Sequence, residues 1–368
     1  MNHRKACSKK KVIWLITGLL LAVLLFLLSY FIYLFTTYKR IPDNVELQVL
    51  HGTNREALQT GEDSTYSVVT YNVGFGAYVP KYSFFMDGGK YSRAFSKKAA
   101  LQAIEGSAAV VKQLQPDFVL LQELDLSATR SYRTNQYEIF SSSLPSYTSS
   151  YAVNFDSAYL LYPLHEPHGK SLSCIALYSA HPVTSAIRRS LPIETDFSKF
   201  FDLDRCYSVA EIPANGKNLV IYNVHLSAYS SDETMRNAQM ELLFQDMEEQ
   251  YKKGNYVICG GDFNRDLKAD WTQGLNATKD TWAQPLDRTM LPDGFVMGLD
   301  QLDSDTVQSM PDTNRSAETP YEAGVTTTYT LDGFIYSDNV NILSYETIDL
   351  QYEYSDHNPV YMTFSLIP

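Results

Sequence analysis

The hydrophobic pattern divides the chain into a short apolar segment and a long mixed part. Residues 12–35 contain no charged side chain, and as a helix this segment would extend roughly 36 Å at its helical rise per residue, enough to cross a bilayer. A signal-peptide core would be shorter and would end at small residues, whereas residues 29–35 are bulky. We therefore expect residues 12–36 to be an uncleaved transmembrane helix that holds the chain in a lipid bilayer.

The charges beside this segment predict its orientation. Five Lys and Arg residues lie within residues 1–11, and two lie within residues 37–40. The cytoplasmic side of a single span carries the excess of positive charge. Residues 1–11 are therefore predicted to be a cytoplasmic tail, and the chain beyond the span is predicted to lie outside the cytoplasm at the cell membrane.

The chain after the span reads as a linker followed by one domain. Residues 37–65 are polar and have no clear period, which predicts a stalk or linker. From residue 66 to residue 368, strand-like and helix-like patterns follow one another. Runs with alternating or continuous apolar residues predict strands at 66–72, 117–123, 174–179, 206–212 and 218–227.

The helix-like segments are fewer than the strands. A helix is predicted over residues 92–115, and another near Glu233, where Ser230 and Glu233 have the spacing of a capping box. Residues 131–170 are expected to form strands and loops, and residues 276–328 to be mostly loop. Many strands with intervening helices predict a mixed α/β domain in which two sheets pack together with helices outside.

The charge of the domain limits the partners that it can bind strongly. Residues 1–40 hold seven of the 30 Lys and Arg and none of the 42 Asp and Glu, so the rest of the chain has a formal net charge of −19. Proteins that bind nucleic acid tightly usually present a basic surface. The negative net charge argues against strong non-specific nucleic-acid binding, although a local basic groove is compatible with that net charge.

Three cysteines lie beyond the span, namely Cys174, Cys206 and Cys259. Their number is odd, and each follows a strand-like pattern. This favours buried reduced thiols over a disulfide framework, with one bridge among the three as the alternative. Their spacing does not suggest a zinc site.

Polar residues of one chemical kind occur at the ends of the predicted strands. They are Asn72, Glu123, Asn223, His225, Asp262, Asn264, Asp332, Asp356 and His357. Each one alone has an ordinary explanation as a turn residue, a cap or a satisfied core histidine. As a set, they combine oxygen ligands suited to a hard divalent cation with two histidines able to carry protons.

The segments "TYNVG", "LLQELD", "YNVHLS", "GGDFN", "TLDGF" and "SDHNPV" occur in this order. Together they resemble the endonuclease/exonuclease/phosphatase superfamily over about residues 66–366. The resemblance implies a four-layer α/β sandwich and a phosphoester hydrolase that uses Mg²⁺, with Mn²⁺ as the alternative. It also implies that residues 66–368 form the catalytic domain.

The same resemblance implies the metal ligands. Glu123 resembles the main carboxylate ligand of the family, and Asn72 resembles its amide companion at the same cation. Asp356 matches a position that holds the cation directly or through water.

The resemblance also assigns the catalytic residues. Asp262 and Asn264 resemble the pair that positions the attacking water and holds the phosphate. His357 resembles the histidine that contacts the phosphate, and Asp332 resembles its partner. His225 matches the second histidine of the deoxyribonuclease and sphingomyelinase branches, and which histidine is acid or base stays open.

Two further residues are expected to bind substrate. Asn223 lies in the "YNVHLS" segment, and Arg130 resembles an arginine that follows the "QE.D" segment in some bacterial members. A structural salt bridge is the alternative for Arg130. We expect Gly260 and Gly261 to let the substrate approach the backbone closely, and residues 75–98 to form either a wall of the substrate site or a surface loop.

The sequence therefore predicts a membrane-anchored, outward-facing hydrolase that attacks a phosphoester, more readily a diester, with water. The anchor and the acidic domain favour a small molecule or a lipid headgroup as the substrate. Two alternatives remain: an extracellular nuclease, and a non-catalytic binding module that keeps the fold. No protein partner can be inferred.

Overall fold

The chain forms two separate units, Met1–Arg40 and Ile41–Pro368. The computed structural model describes residues 2–53, 56–61, 63–228, 233–269 and 282–368, with only the backbone for residues 2–8. Ser230, predicted as a helix cap, lies outside the described residues.

The first unit is one helix, α1 (Asn2–Thr37). Its stretch Lys9–Thr37 contains an 18-residue window with a mean hydropathy of 2.8 and is long and apolar enough to cross a membrane. Large apolar side chains such as Trp14 and Leu15 are exposed along it. A membrane span and a signal sequence are both compatible with this length and composition.

The second unit contains two sheets and a short ribbon. In spatial order, the first sheet consists of β1 (Val45–Glu46), β6 (Ser185–Ser190), β7 (Cys206–Ala214), β8 (Lys217–His225), β9 (Tyr256–Asp262), β13 (Asp332–Ser337) and β10 (Phe295–Met297). The second consists of β14 (Val340–Thr347), β15 (Val360–Leu366), β2 (Tyr66–Asn72), β3 (Phe118–Asp125), β5 (Leu172–Ser179) and β4 (Thr148–Asp156). The ribbon pairs β11 (Asn314–Arg315) with β12 (Thr328–Tyr329).

In the part of the domain that the structure describes, four helices accompany the sheets: α2 (Lys97–Leu114), α3 (Gln136–Ser143), α4 (Glu233–Lys252) and α5 (Ser304–Ser309). The first of these begins five residues later than predicted, because the side chain of Ser96 caps it by accepting a hydrogen bond from the Ala99 amide. The sequence analysis missed α3, which lies in the segment expected to form strands and loops.

Apolar side chains hold these elements in four layers. Leu120 and Leu177 of the second sheet and Val224 and Ile258 of the first sheet share one buried cluster, to which Leu243 of α4 also belongs. A second cluster joins the other face of the second sheet to Ile104 and Val111 of α2 and to Phe140 of α3. The layers are thus helices, sheet, sheet and helix, which confirms the predicted sandwich. Cys174, Cys206 and Cys259 are buried and free, as expected.

The strand directions bring the predicted site residues to one end of the sandwich. β2 and β3 are parallel, as are β8 and β9, so their carboxyl ends lie together within each sheet. β13 runs antiparallel to β9 and β15 antiparallel to β2, so these two strands begin where their neighbours end.

The predicted linker is in large part a component of the second unit. β1 pairs with β6, the Leu58 amide donates to the Pro213 carbonyl, and the Leu58 side chain is fully buried in the core. The guanidinium of the buried Arg188 also donates to the Pro42 carbonyl at 3.2 Å. From Ile41 onwards, one buried leucine and a strand pair therefore tie this polar segment of the predicted stalk or linker to the domain.

Replacing Leu58 with alanine should lower the free energy of unfolding by about 2–4 kcal/mol, because the substitution leaves a cavity in the core. Leu50→Ala is the matched control in the same segment, since Leu50 is 42% exposed, and it should cost less than about 1 kcal/mol. Urea unfolding of the full chain in detergent, followed by near-UV circular dichroism, measures both. Equal, negligible effects of the two substitutions would mean that the segment is a free stalk after all.

Candidate active site

Six of the predicted residues gather where the two sheets end together. Their side chains come from the ends of β2, β3, β8 and β9, from the start of β13 and from the turn before β15. They are Asn72, Glu123, His225, Asp262, Asp332 and His357. The predicted Asn264 lies two residues after Asp262, and the predicted Asp356 directly precedes His357.

Asn72 connects the two sheets at the centre of the site. Its side-chain amide donates to Asp262 Oδ2 at 3.0 Å and lies 3.4 Å from Glu123 Oε1. Its own oxygen accepts a hydrogen bond from the Gly74 amide at 3.1 Å. The amide is thereby fixed between two carboxylates that belong to different sheets.

Glu123 occupies an irregular position in its strand. Its φ is +57°, and the pairing of β3 with β5 shifts register between Leu121 and Leu124. A positive φ is costly for a residue with a side chain, and bulges re-aim side chains next to active sites. The carboxylate is 23% exposed, so it faces the mouth of the site while the strand around it is buried.

His225 lies close to two carboxylates but is not charged. Its Nε2 is 3.8 Å from Glu123 Oε1 and 3.7 Å from Asp262 Oδ2. Burial, and next the positive charge of Arg205, lower the pKa of His225 well below 6.5. Among the described residues, Nδ1 has no hydrogen-bond partner.

Asp332 and His357 form the shortest contact of the site. Asp332 Oδ2 lies 2.7 Å from His357 Nδ1. Burial alone would lower the pKa of His357, but the charge and hydrogen bond of Asp332, followed by the charges of Asp356 and Asp262, raise it to about 10. The ring is therefore a cation at pH 7, with Nε2 3.8 Å from Asp262 Oδ2.

Asn314 is a member of the site that the sequence analysis missed. Its side-chain amide lies 3.0 Å from His357 Nε2, and its backbone bridges to that of His357. It lies in the two-residue strand β11, within the segment expected to be loop. No motif surrounds it, so only the fold could bring it to the histidine.

The buried carboxylates resist ionisation. Burial first, and the negative charge of Asp332 next, raise the pKa of Asp262 to about 7. Burial likewise raises the pKa of Asp356 to about 6, although His357 and Arg315 oppose that shift. Carboxylates that are destabilised in this way are neutralised by protons or by a bound cation, so the donor set fits a divalent metal ion.

Two groups of residues could hold that ion. Glu123, Asn72 and Asp356 are the ligands implied by the family resemblance. By distance, Asp262, Asp332 and His357 also qualify, since one ligand atom of each lies within 4.8 Å of the others. A metal on His357 would have to displace its proton, and the proton is held there by the carboxylates, so the first group suits the cation better.

Asn223 is not available to a substrate. It is completely buried, with its Oδ1 accepting from Gln122 at 2.7 Å and its Nδ2 donating to the carbonyls of Leu121 and Ala176. The prediction that it binds substrate is therefore wrong. It shares the inward face of β8 with His225, but its amide is used to bridge the two sheets.

Arg130 forms the salt bridge that was its alternative role. Its Nη2 lies 2.9 Å from Asp125 Oδ1, and its guanidinium stacks 3.8 Å above the Phe75 ring. The Arg130 side chain is 9% exposed. The pair holds the loop after β3 against Phe75, and the expected contact of Arg130 with substrate stays a prediction.

The two glycines before Asp262 are required by packing within the protein. A Cβ at Gly260 would lie 2.5 Å from the Phe334 ring, and one at Gly261 would lie 2.1 Å from the Val224 carbonyl. Gly261 also has a φ of +149°. The expectation that these glycines admit the substrate is therefore corrected, because they allow the strand to end between its neighbours. Just after the strand, the Asn264 backbone amide donates a hydrogen bond to the Asp262 carboxylate at 2.9 Å.

Residues 75–98 pack as a folded wall next to the site. Phe75, Tyr78, Tyr82 and Phe84 form an aromatic cluster. The buried guanidinium of Arg315 donates to three carbonyls of this segment, those of residues 78, 79 and 82. Arg315 directly follows Asn314, so the same short strand supports both the wall and His357.

The chain matches one family of known proteins over most of its length. A family model described as the endonuclease/exonuclease/phosphatase family matches residues 69–357, which is well over half of the chain. The chain belongs to this family and is a phosphoester hydrolase by class. A search among curated protein sequences finds no match.

Solved structures share the fold at low sequence identity. Humanized D. rerio TDP2 is 15% identical with a TM-score of 0.54, covering 82% of this chain and 99% of its own. The endonuclease/exonuclease/phosphatase from Beutenbergia cavernae is 15% identical with a TM-score of 0.54, covering 82% and 72%. The human Nocturnin catalytic domain with bound sulfate is 18% identical with a TM-score of 0.52, covering 87% and 97%.

The charge state of His357 can be tested directly. Because its pKa is raised to about 10, the stability contributed by its pair with Asp332 is fully present below pH 6.5 and is lost as the pH rises through the folded value. In ¹⁵N-histidine-labelled protein with EDTA, the ring should stay an imidazolium from about pH 6 to pH 9. Asp332→Asn should lower this pKa, because burial remains while its main counter-charge is removed.

The control for this experiment is Asp293→Asn, which removes an exposed carboxylate and should leave the titration of His357 unchanged. A wild-type His357 that loses its proton near pH 6.5 would contradict the pairing.

Proposed function

We propose that the protein is a membrane-anchored phosphodiesterase whose catalytic domain faces outwards and uses Mg²⁺, with Mn²⁺ as a substitute. The observation that carries the proposal is the convergence of carboxylates, an amide and two histidines of different protonation at one end of the sandwich. This combination supplies metal ligands, a proton acceptor and a cation for phosphate at the same place.

The cation is assigned to Glu123, Asn72 and Asp356. When bound, it would neutralise the phosphate oxygens and make the phosphorus more open to attack. The side-chain amide of Asn72 faces both the Glu123 and the Asp262 carboxylates. The exposed fraction of Glu123 gives its carboxylate access to the mouth of the site.

The proton chemistry is assigned to Asp262 and the histidines. Asp262 can accept a proton from the attacking water at its carboxylate, and Asn264 holds that carboxylate through its backbone amide. The imidazolium of His357, fixed by Asp332, donates Nε2–H to a phosphate oxygen. His225 is neutral and offers one N–H and one lone pair to the oxygens around phosphorus.

A diester of a small molecule or of a lipid headgroup suits the acidic domain and the anchor best. A nuclease is the second candidate, since one structural neighbour, D. rerio TDP2, was solved with a single-strand DNA product at a TM-score of 0.55 and 16% identity. A panel of sphingomyelin, inositol phosphates, nucleotides, single- and double-stranded DNA and RNA with Mg²⁺ separates these classes. No turnover on any of them would support the non-catalytic binding module.

The full chain in detergent should hydrolyse bis(p-nitrophenyl) phosphate with Mg²⁺, and EDTA should abolish turnover. Glu123→Gln and His357→Ala should each lower kcat/KM by roughly 100-fold or more, because each removes charge stabilisation of the transition state. Glu105→Gln is the matched control, an exposed glutamate of α2 with the same charge change, and should behave as wild type. EDTA-resistant turnover, or full activity of Glu123→Gln, would exclude the assigned metal site.

The orientation rests on the positive residues before the span. Alkaline phosphatase, which is active only outside the cytoplasm, should be active when fused to the C-terminus. Replacing the five basic residues of the tail with glutamine should reduce that activity, because it removes the charge bias. An inactive wild-type fusion would reverse the proposed topology.

A further inference from the structure

A cleft lies against the loop that follows β3, the strand that carries Glu123. It has a volume of about 450 Å³ and is lined by Arg93, Lys97, Thr129, Tyr132, Arg133 and Tyr159. We refer to it as the basic cleft. Three of its six lining side chains are cations, although the domain as a whole has a formal charge of −19. None of these six residues belongs to the site described above.

The carboxylates of the described residues do not pair with the cations of the basic cleft. Arg93 directs Nε and Nη2 to the Pro167 carbonyl, which is a neutral acceptor. Among the described residues, neither Arg93, Lys97 nor Arg133 forms an ion pair with a carboxylate. Three like charges around one concave surface repel one another, and a bound anion relieves that repulsion.

The backbone beneath the cleft is held in a costly conformation. Tyr132 and Arg133 both have a φ of +56°, which is unfavourable for two consecutive residues with large side chains. The Arg133 amide donates to the Ala128 carbonyl at 2.7 Å, which closes this turn. Strain of this kind persists where the surrounding structure requires a particular geometry, often at a ligand site.

The basic cleft is connected to the catalytic site through Arg130. Arg130 lies within the turn, and its side chain pairs with Asp125, which is two residues after Glu123. The backbone carbonyl of Arg130 accepts a hydrogen bond from the Ala94 amide at 2.9 Å. The loop after β3 and the segment that precedes α2 are therefore fixed to the strand that carries the metal ligand. The basic cleft and the catalytic site therefore share the loop that follows β3.

The chemistry of the lining identifies the ligand. Guanidinium and ammonium groups together favour phosphate oxygens, and the side chains of Tyr132 and Tyr159, 37% and 38% exposed, can cover an organic group attached to the anion. We propose that the basic cleft binds a phosphate carried by the substrate at a position remote from the bond that is cleaved. This inference rests on the proposed function for the identity of the ligand, but the anion site itself does not.

The anion site is tested without catalysis. Inorganic phosphate is titrated calorimetrically into the full chain in detergent with EDTA, in a His357→Ala background that removes the catalytic-site cation. Lys97→Gln with Arg133→Gln should weaken phosphate binding at least tenfold. Lys98→Gln with Lys112→Gln removes the same charge from exposed positions of α2 and should leave the affinity within twofold. Equal affinity in the two double variants, or no binding at all, would overturn the proposal.

Kinetic measurements test whether the phosphate that the basic cleft binds belongs to the substrate. Thymidine 5′-(p-nitrophenyl phosphate) is compared with the same compound carrying a 3′-phosphate. The ratio of the two KM values should change about tenfold in Lys97→Gln with Arg133→Gln, in favour of the compound without the second phosphate, and should not change in the control. Phosphate binding without this KM effect contradicts assignment to the substrate, whereas absent turnover with intact phosphate binding refutes the proposed function alone.

Discussion

The site depends on mutual repulsion among carboxylates that the fold brings together. Asp332 pairs directly opposite Asp262 in adjacent strands, and both are nearly inaccessible to water. Like charges in such positions cannot all ionise freely. Within the protein, the His357 cation is the main group that balances their negative charge. Negative charge remains in excess at the site, and a bound divalent ion would neutralise it.

The fold produces this arrangement through strand direction. Each sheet contains one parallel pair whose carboxyl ends face the site, and an antiparallel neighbour that begins there. Asn72 then bridges from one sheet to a carboxylate of the other, and Asn223 does the same one layer deeper by bonding to Gln122 and to two carbonyls. The packing that stabilises the sandwich therefore also sets the spacing of the catalytic groups, so core and site are not independent.

Sequence reasoning identified the strand ends and most of the site, because polar residues that interrupt apolar runs are visible without a structure. It could not assign Asn223 correctly. The alternation of side chains along a strand shows that Asn223 and His225 lie on the same face, but it does not show which groups of the other sheet lie opposite them. The roles of Gly260 and Gly261 depend on the Phe334 ring and the Val224 carbonyl, which are distant in sequence. Asn314 and the burial of Leu58 had no local signal, as each is an isolated residue in a polar segment.

We infer that a divalent cation replaces protons on the buried carboxylates. Calorimetric titration of Mg²⁺ or Mn²⁺ into the full chain, in buffers with different ionisation enthalpies, counts the protons released. With pKa values of about 7 for Asp262 and about 6 for Asp356, binding should release about one proton near pH 6.5 and almost none near pH 8.5. Binding without proton release near pH 6.5, or no binding at all, would contradict the account.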